Sequence, residues 1–259
     1  MERKRRAFFF DFDGTLWFGT FGDRTLSALQ SLHAQGDLLF YNSGRSQGNT
    51  SYALLSPIPF DGFLFGGCHI VFRGKELFRK DCSKEAMALA VSVAKRYRVK
   101  AVWEGVNGSF RASDMPDEFD MKMTPCDDLD AYLDTENMPI TKFDFMKEKT
   151  ENGYLDFPVE MIETMKGMFE VNDFPYYTEF LQKNSGKDVL IEKIRELLSI
   201  EREDCYCFGD SYNDLPMFRA CAVKVAIGHA PDAVKAQADY VTQEEENGVA
   251  EALAYYGLI

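Results

Sequence analysis

Histidine is scarce in this chain. Three histidines in 259 residues, widely spaced, argue against a histidine-rich zinc site. Cysteine occurs at 68, 82, 126, 205, 207 and 221, never with the CxxC spacing of a zinc ribbon or redox motif. Cys205 and Cys207 share one face of an expected strand and read as a buried pair of thiols. Positive charge is short as well: 29 Lys and Arg against 42 Asp and Glu leave a net charge of -13. That balance excludes a broad basic footprint for nucleic acid or an anionic membrane, so an anionic ligand needs a local positive centre. No apolar run approaches the roughly 20 residues that span a bilayer. The basic start MERKRR leads into AFFF, but Asp11 and Asp13 cut that run too early for a secretory signal. No GxSxG elbow surrounds Ser43, and there are no repeats or low-complexity linkers. The expectation is a soluble protein of a reducing cytoplasm, a monomer or homodimer.

What is present alternates. Residues 7–10 (AFFF) are apolar without a polar face, as suits a parallel strand covered on both sides. Leucines at 26, 29 and 32 predict a helix over 25–34, closed by Gly36. Strands follow at 38–41 and 62–65, then the turn Gly66-Gly67-Cys68 and a hairpin over 70–78 around Gly74. That turn reads equally as an approach to a second module or as a plain tight turn. The middle is patterned differently: a helix over 83–98 capped by Ser83, strands at 100–105 and 140–145, and a Met-rich helix over 158–169. Its methionines read as core filler, and the acidic stretch 113–130 is poorly periodic. After 182 the early pattern returns, with helices over 188–200, from 209 and near 231–238, and strands at 205–208, 223–227 and 239–242. Strand-helix alternation at both ends around a different middle predicts an α/β domain with an insertion.

Ligands of open parallel sheets bind beyond the carboxyl ends of the strands. Asp11 and Asp13 end the first strand, Ser43 and Arg45 the second, Asp210 a late one, and Lys187 opens a helix. Alternation along a strand would put Asp11 and Asp13 on one face. Each residue alone has a structural explanation as turn, cap or solvated side chain. Together they deliver carboxylates, a hydroxyl and a lysine to one mouth. Clustered carboxylates repel, and magnesium is the natural counter-ion because it prefers oxygen and shares its shell with phosphate. A carboxylate beside it can attack phosphorus.

The ordered set DFDGTL (11–16), SGR (43–45), Lys187 and GDSYND (209–214) resembles the haloacid dehalogenase (HAD) superfamily. The insertion between the second and third motifs, with the tail 227–253, resembles Cof-type phosphatases of subfamily IIB with a C2B cap. The resemblance implies a Rossmann-like parallel-sheet core over 1–79 and 182–259 and an α/β C2-type cap over 80–181. It also implies an Mg2+-dependent phosphatase acting on small phosphomonoesters, such as sugar phosphates or related metabolites, through an aspartyl-phosphate. By the same resemblance Asp11 is nucleophile and metal ligand. Asp13 is the acid and base and lends its carbonyl to the metal. Ser43, Gly44 and Arg45 meet the substrate, and Lys187 offsets charge. Asp210 and Asp214 serve the metal, with Asn213 behind them.

Three positions depart from the family pattern. Ser43 stands for Thr. Asp188 rather than Gly follows Lys187, which leaves Lys183 as a fallback. His229 replaces an Asn and reads as a loop residue without a role. A phosphomutase of the same superfamily and a phospho-accepting receiver or regulator are the rival readings.

Overall fold

The computed structural model describes residues 5–115 and 123–259, so residues 1–4 and part of the acidic stretch 113–130 lie outside the described residues. In chain order the first segment forms β1 (Ala7–Phe10), α1 (Asp23–Ala34), β2 (Leu38–Ser43), α2 (Tyr52–Leu55), β3 (Gly62–Phe65), β4 (His69–Phe72) and β5 (Lys75–Arg79). The middle forms α3 (Lys84–Tyr97), β6 (Ala101–Gly105), β7 (Ser109–Arg111), β8 (Met123–Pro125), β9 (Ile140–Met146), β10 (Lys149–Thr150) and β11 (Gly153–Tyr154). It closes with α4 (Val159–Lys166), β12 (Phe169–Asp173) and β13 (Tyr177–Gln182). The last segment forms α5 (Lys187–Leu198), β14 (Cys205–Gly209), α6 (Leu215–Ala220), β15 (Val223–Ala226), α7 (Asp232–Lys235), β16 (Tyr240–Val241) and α8 (Gly248–Tyr255). Two compact units result: Met1–Gly44 with Ser51–Phe78 and Gly186–Ile259, and Arg45–Thr50 with Arg79–Ser185. Among the described residues no helix is long and apolar enough to cross a membrane.

The first unit is built on a sheet of order β16-β15-β14-β1-β2-β3-β4-β5. Strands β16 to β3 run parallel, and β4 turns back antiparallel. β1 is central and wholly buried, which explains its unbroken apolar sequence. Phe8 and Phe10 pack with Leu29 and Leu32 of α1 and Leu253 of α8. Ala7 and Phe9 face the other way, toward Ile191 and Ile194 of α5 and Met217 of α6. Burying each such phenylalanine stabilises the fold by roughly 1.5–3 kcal/mol. Cys205 and Cys207 both join this second layer, and none of the six cysteines is in a disulfide.

The second unit holds a sheet of order β12-β13-β9-β6-β7-β8, antiparallel except for β7 beside β8. On one face Trp103, Phe143, Phe145 and Phe180 pack against Met87 of α3 and Met161 and Met165 of α4, so those methionines are core, whereas Met168, expected in the same role, lies beyond the helix and is exposed. Ser83 caps α3, accepting the Ala86 N–H at 3.1 Å. The opposite face carries a buried charge cluster. Lys142 Nζ lies 2.7 Å from Glu179 Oε1, 3.2 Å from Glu104 Oε1 and 3.8 Å from Asp144 Oδ1. Glu104 Oε2 also accepts the Ser46 N–H at 3.1 Å and the Asn49 amide at 3.2 Å, which ties that short loop to this unit. The Met-rich helix is shorter than expected: it stops at Lys166, and Phe169 opens β12.

Candidate active site

Register brings the motif residues to one sheet edge. Phe10 stands level with Tyr41 on one side and Phe208 on the other. The next residues, Asp11, Asn42-Ser43 and Gly209-Asp210, therefore stand together at the carboxyl end of the sheet, with Ser43 and Gly209 the last residues of β2 and β14. The Asp11 N–H continues the ladder one step by donating to the Phe208 carbonyl at 2.9 Å. Strand alternation does not relate Asp11 to Asp13, a correction to the expectation above. β1 ends at Phe10, and the Leu16 and Trp17 N–H groups both fold back onto the Phe12 carbonyl. This turn leaves Asp11 buried and Asp13 exposed. Gly14 makes the turn possible: its φ is +81°, and a Cβ there would stand 2.7 Å from Asp210 Oδ2.

Lys187 is the first residue of α5 and is set by a turn distant in sequence. Between β3 and β4, Gly67 lies against Gly186. Its carbonyl accepts the Gly186 N–H at 2.8 Å, and a Cβ on Gly67 would stand 2.8 Å from Gly186 Cα. The Gly66-Gly67 turn is thus a docking point for the start of α5. From there Lys187 Nζ donates to Asp11 Oδ1 at 2.5 Å and to Asp214 Oδ1 at 2.6 Å, all three side chains being buried. Asp214 Oδ2 accepts the N–H groups of Asp210 (2.9 Å) and Ser211 (3.0 Å). Asp210 Oδ1 accepts the Thr15 hydroxyl at 2.8 Å.

Asn213 Oδ1 accepts the Ser211 hydroxyl at 2.7 Å, and its amide nitrogen is 3.4 Å from where a Cβ on Gly44 would stand. Ser43 is buried at the end of β2, its carbonyl accepting the Gly66 N–H at 2.9 Å. Lys183 belongs to the second unit, 3.9 Å from Glu170, so Lys187 is the lysine that reaches Asp11. Asp188 turns to its own helix terminus, accepting the Val189 N–H at 3.0 Å and lying 3.7 Å from Arg219. Arg45 opens the segment that clusters with the second unit.

Two residues in this group had no role from the sequence. Thr15 lies inside DFDGTL but carried no separate signal for contact with Asp210. His229 Nε2 lies 3.4 Å from Asp210 Oδ2, an approach that no spacing reveals.

The electrostatics follow from crowding. Burial, then the neighbouring Asp214, raise the Asp11 carboxyl well above its usual range, although Lys187 pulls the other way. Burial and Asp214 also raise Asp210, opposed by the Thr15 hydrogen bond and His229. Burial works against the charge on Lys187, but Asp11 and Asp214 outweigh it and hold the ammonium protonated. One lysine therefore faces three carboxylates, which offer oxygens all within 4.8 Å of one another. An oxygen-only donor set with an excess of negative charge fits a hard divalent cation such as magnesium.

Fold and site together define an α/β protein that gathers a carboxylate group, suited to a divalent cation, at the mouth of a parallel sheet. The chain belongs to the haloacid dehalogenase-like hydrolases, whose family model matches residues 8–253. It is 28% identical over 148 residues to the phosphoglycolate phosphatase of Methanosarcina acetivorans, a match covering 55% of this chain and 65% of that enzyme, short of two thirds of its length. It is 25% identical to the Bacillus subtilis protein YkrA over 98% of each chain. Among solved structures, the HAD subclass IIB sugar phosphatase BT4131 superposes with a TM-score of 0.81 at 24% identity, covering 98% of this chain and 100% of that one. That likeness shows the fold: a Rossmann-like core with an inserted cap.

Proposed function

We propose that this protein is a magnesium-dependent phosphatase that hydrolyses small phosphomonoesters, sugar phosphates or related metabolites, through an aspartyl-phosphate on Asp11. The observation that carries the reading is Lys187, buried and bonded to both Asp11 and Asp214 at the carboxyl edge of the sheet. A phosphoglycolate phosphatase among its relatives and a sugar phosphatase among its structural neighbours support the same class of substrate.

The Asp11 carboxylate attacks phosphorus as the ester oxygen departs. Asp13, exposed in the turn beyond, gives that oxygen a proton and then takes one from the water that cleaves the acyl phosphate. The Ser43 hydroxyl and the Gly44 N–H hold phosphoryl oxygens, and Lys187 neutralises charge that grows in the transition state. Arg45 reaches the remainder of the substrate. Asp11, Asp210 and the Asp13 carbonyl would hold the metal, with Asp214 and Asn213 fixing them from behind. Bound magnesium supplies further neutralisation of the phosphoryl oxygens and favours the ionised nucleophile. A reducing cytoplasm suits a chain with six cysteines and no disulfide.

The test is phosphate release from an aryl phosphate and a panel of sugar phosphates and nucleotides, with magnesium, with a chelator, and with Asp11→Asn. Many turnovers are expected, abolished by the chelator and reduced at least about a thousand-fold in the variant. A single labelling of Asp11 without release would make it a receiver. Isomerised sugar phosphate without release would make it a mutase.

A further inference from the structure

One buried polar residue at the sheet edge has no part in the proposed reaction. β2 is covered on both faces, and its Leu38 and Phe40 pack into the layer of α5 and α6. Alternation turns Asn42 into the same layer, level with Leu64 of β3 and fully buried. Phe10 stands level with Tyr41, so Asp11 is the neighbour of Asn42 on the next strand. The Asn42 amide nitrogen donates to Met217 Sδ at 3.8 Å, three residues beyond Asp214. Among the described residues its Oδ1 has no hydrogen-bond partner. A buried acceptor without a donor costs stability, so a polar side chain here points to a partner that arrives during the reaction.

We propose that Asn42 is a positioning residue for Lys187: once Asp11 is esterified, the Asn42 amide oxygen accepts a proton of the ammonium and holds the lysine for the hydrolysis step. The inference rests on the aspartyl-phosphate reading above. The Lys187 bonds to Asp11 and Asp214 use two of its three ammonium protons. Phosphoryl transfer turns the Asp11 carboxylate into an acyl phosphate whose carbonyl oxygen is uncharged, a weaker partner for the ammonium. Asn42 offers a neutral acceptor in the same buried layer, where a hydrogen bond from a charged donor is strong. Being neutral, it adds no further negative charge beside Asp11 and Asp214. The lysine thus stays by the phosphoryl group while water attacks.

The probe is beryllofluoride, a mimic of the aspartyl-phosphate, loaded with magnesium onto the full chain and followed by crystallography. Lys187 Nζ should then lie within about 3.2 Å of Asn42 Oδ1. Kinetics supplies a second readout. In Asn42→Leu, rapid acid quench should find hydrolysis of phospho-Asp11 slowed about tenfold and its steady-state level raised, with kcat/KM nearly unchanged. Asn42→Asp keeps an acceptor of the same reach and should hydrolyse within about threefold of the parent. Without ligand, Asn42→Leu should melt no lower than the parent, because it removes a buried acceptor that lacks a donor. Lys187 held away from Asn42 in the beryllofluoride complex, or parental turnover in Asn42→Leu, would overturn the inference while leaving the aspartyl-phosphate reading intact. If neither beryllofluoride nor phosphate is found on Asp11, both readings fail.

Discussion

Remove the ammonium of Lys187 and two buried carboxylates, Asp11 and Asp214, lose their common cation. Breaking such a buried pair typically costs about 3–5 kcal/mol. Lys187→Met should therefore lower the melting temperature sharply in chelator, and millimolar divalent salt should restore part of the loss by binding only the folded state. Equal melting in both conditions would separate Lys187 from any metal site. Gly14→Ala tests the neighbouring turn. A left-handed φ costs a side chain about 1–2 kcal/mol, and the new methyl would press on Asp210 Oδ2. The expected result is a lowered denaturation midpoint together with weaker divalent binding in calorimetry. At this scale the carboxylates, the hydroxyl and the lysine were readable as types in order. Their partners were not: that Lys187 reaches Asp11 and leaves Asp188 to its helix end depends on the direction in which α5 begins.

Elements carry their own test in the second unit. Burial, followed by the nearby carboxylates, raises the Asp144 carboxyl well above the usual 3.8, although Lys142 opposes it. In the folded state it keeps its proton at pH values where the unfolded chain has lost it. Folding then takes up a proton, so this group's contribution to stability falls as pH rises from near 3.8. Asp144→Asn should remove that slope, and its stability relative to the parent should grow between about pH 4 and about pH 7. Urea denaturation at several pH values measures it, and a constant difference would count against the sign. Lys142→Met should instead destabilise by about 3–5 kcal/mol, because it strands Glu104 and Glu179. The core strands were legible because burial on both faces leaves an unmistakable apolar run, as in 7-AFFF-10. β7, β8, β12 and β13 were not. β7 and β8 have three residues each, and β12 and β13 mix charged residues with apolar ones because one face of the sheet carries a buried ion cluster.

Over the whole molecule, a net charge of -13 opposes the approach of any phosphate ester. Salt screens that repulsion, so kcat/KM should rise up to about two-fold from low to physiological ionic strength. Stopped assays across a salt series check this, and a fall would mean that local positive charge governs encounter. The sequence alone determined the chemistry on offer: acidic residues after a buried strand, a hydroxyl after the next, and a lysine opening a late helix. These are local choices, visible because motif residues interrupt hydrophobic patterns at strand ends. Tertiary structure decided which groups share their charges. Asp11 and Lys187, 176 positions apart, meet because parallel pairing sets β1 and β14 level and Gly67 seats the start of α5. The same packing buries Asp11, exposes Asp13, and carries His229 to Asp210, since distance and dielectric are properties of packing rather than of spacing along the chain.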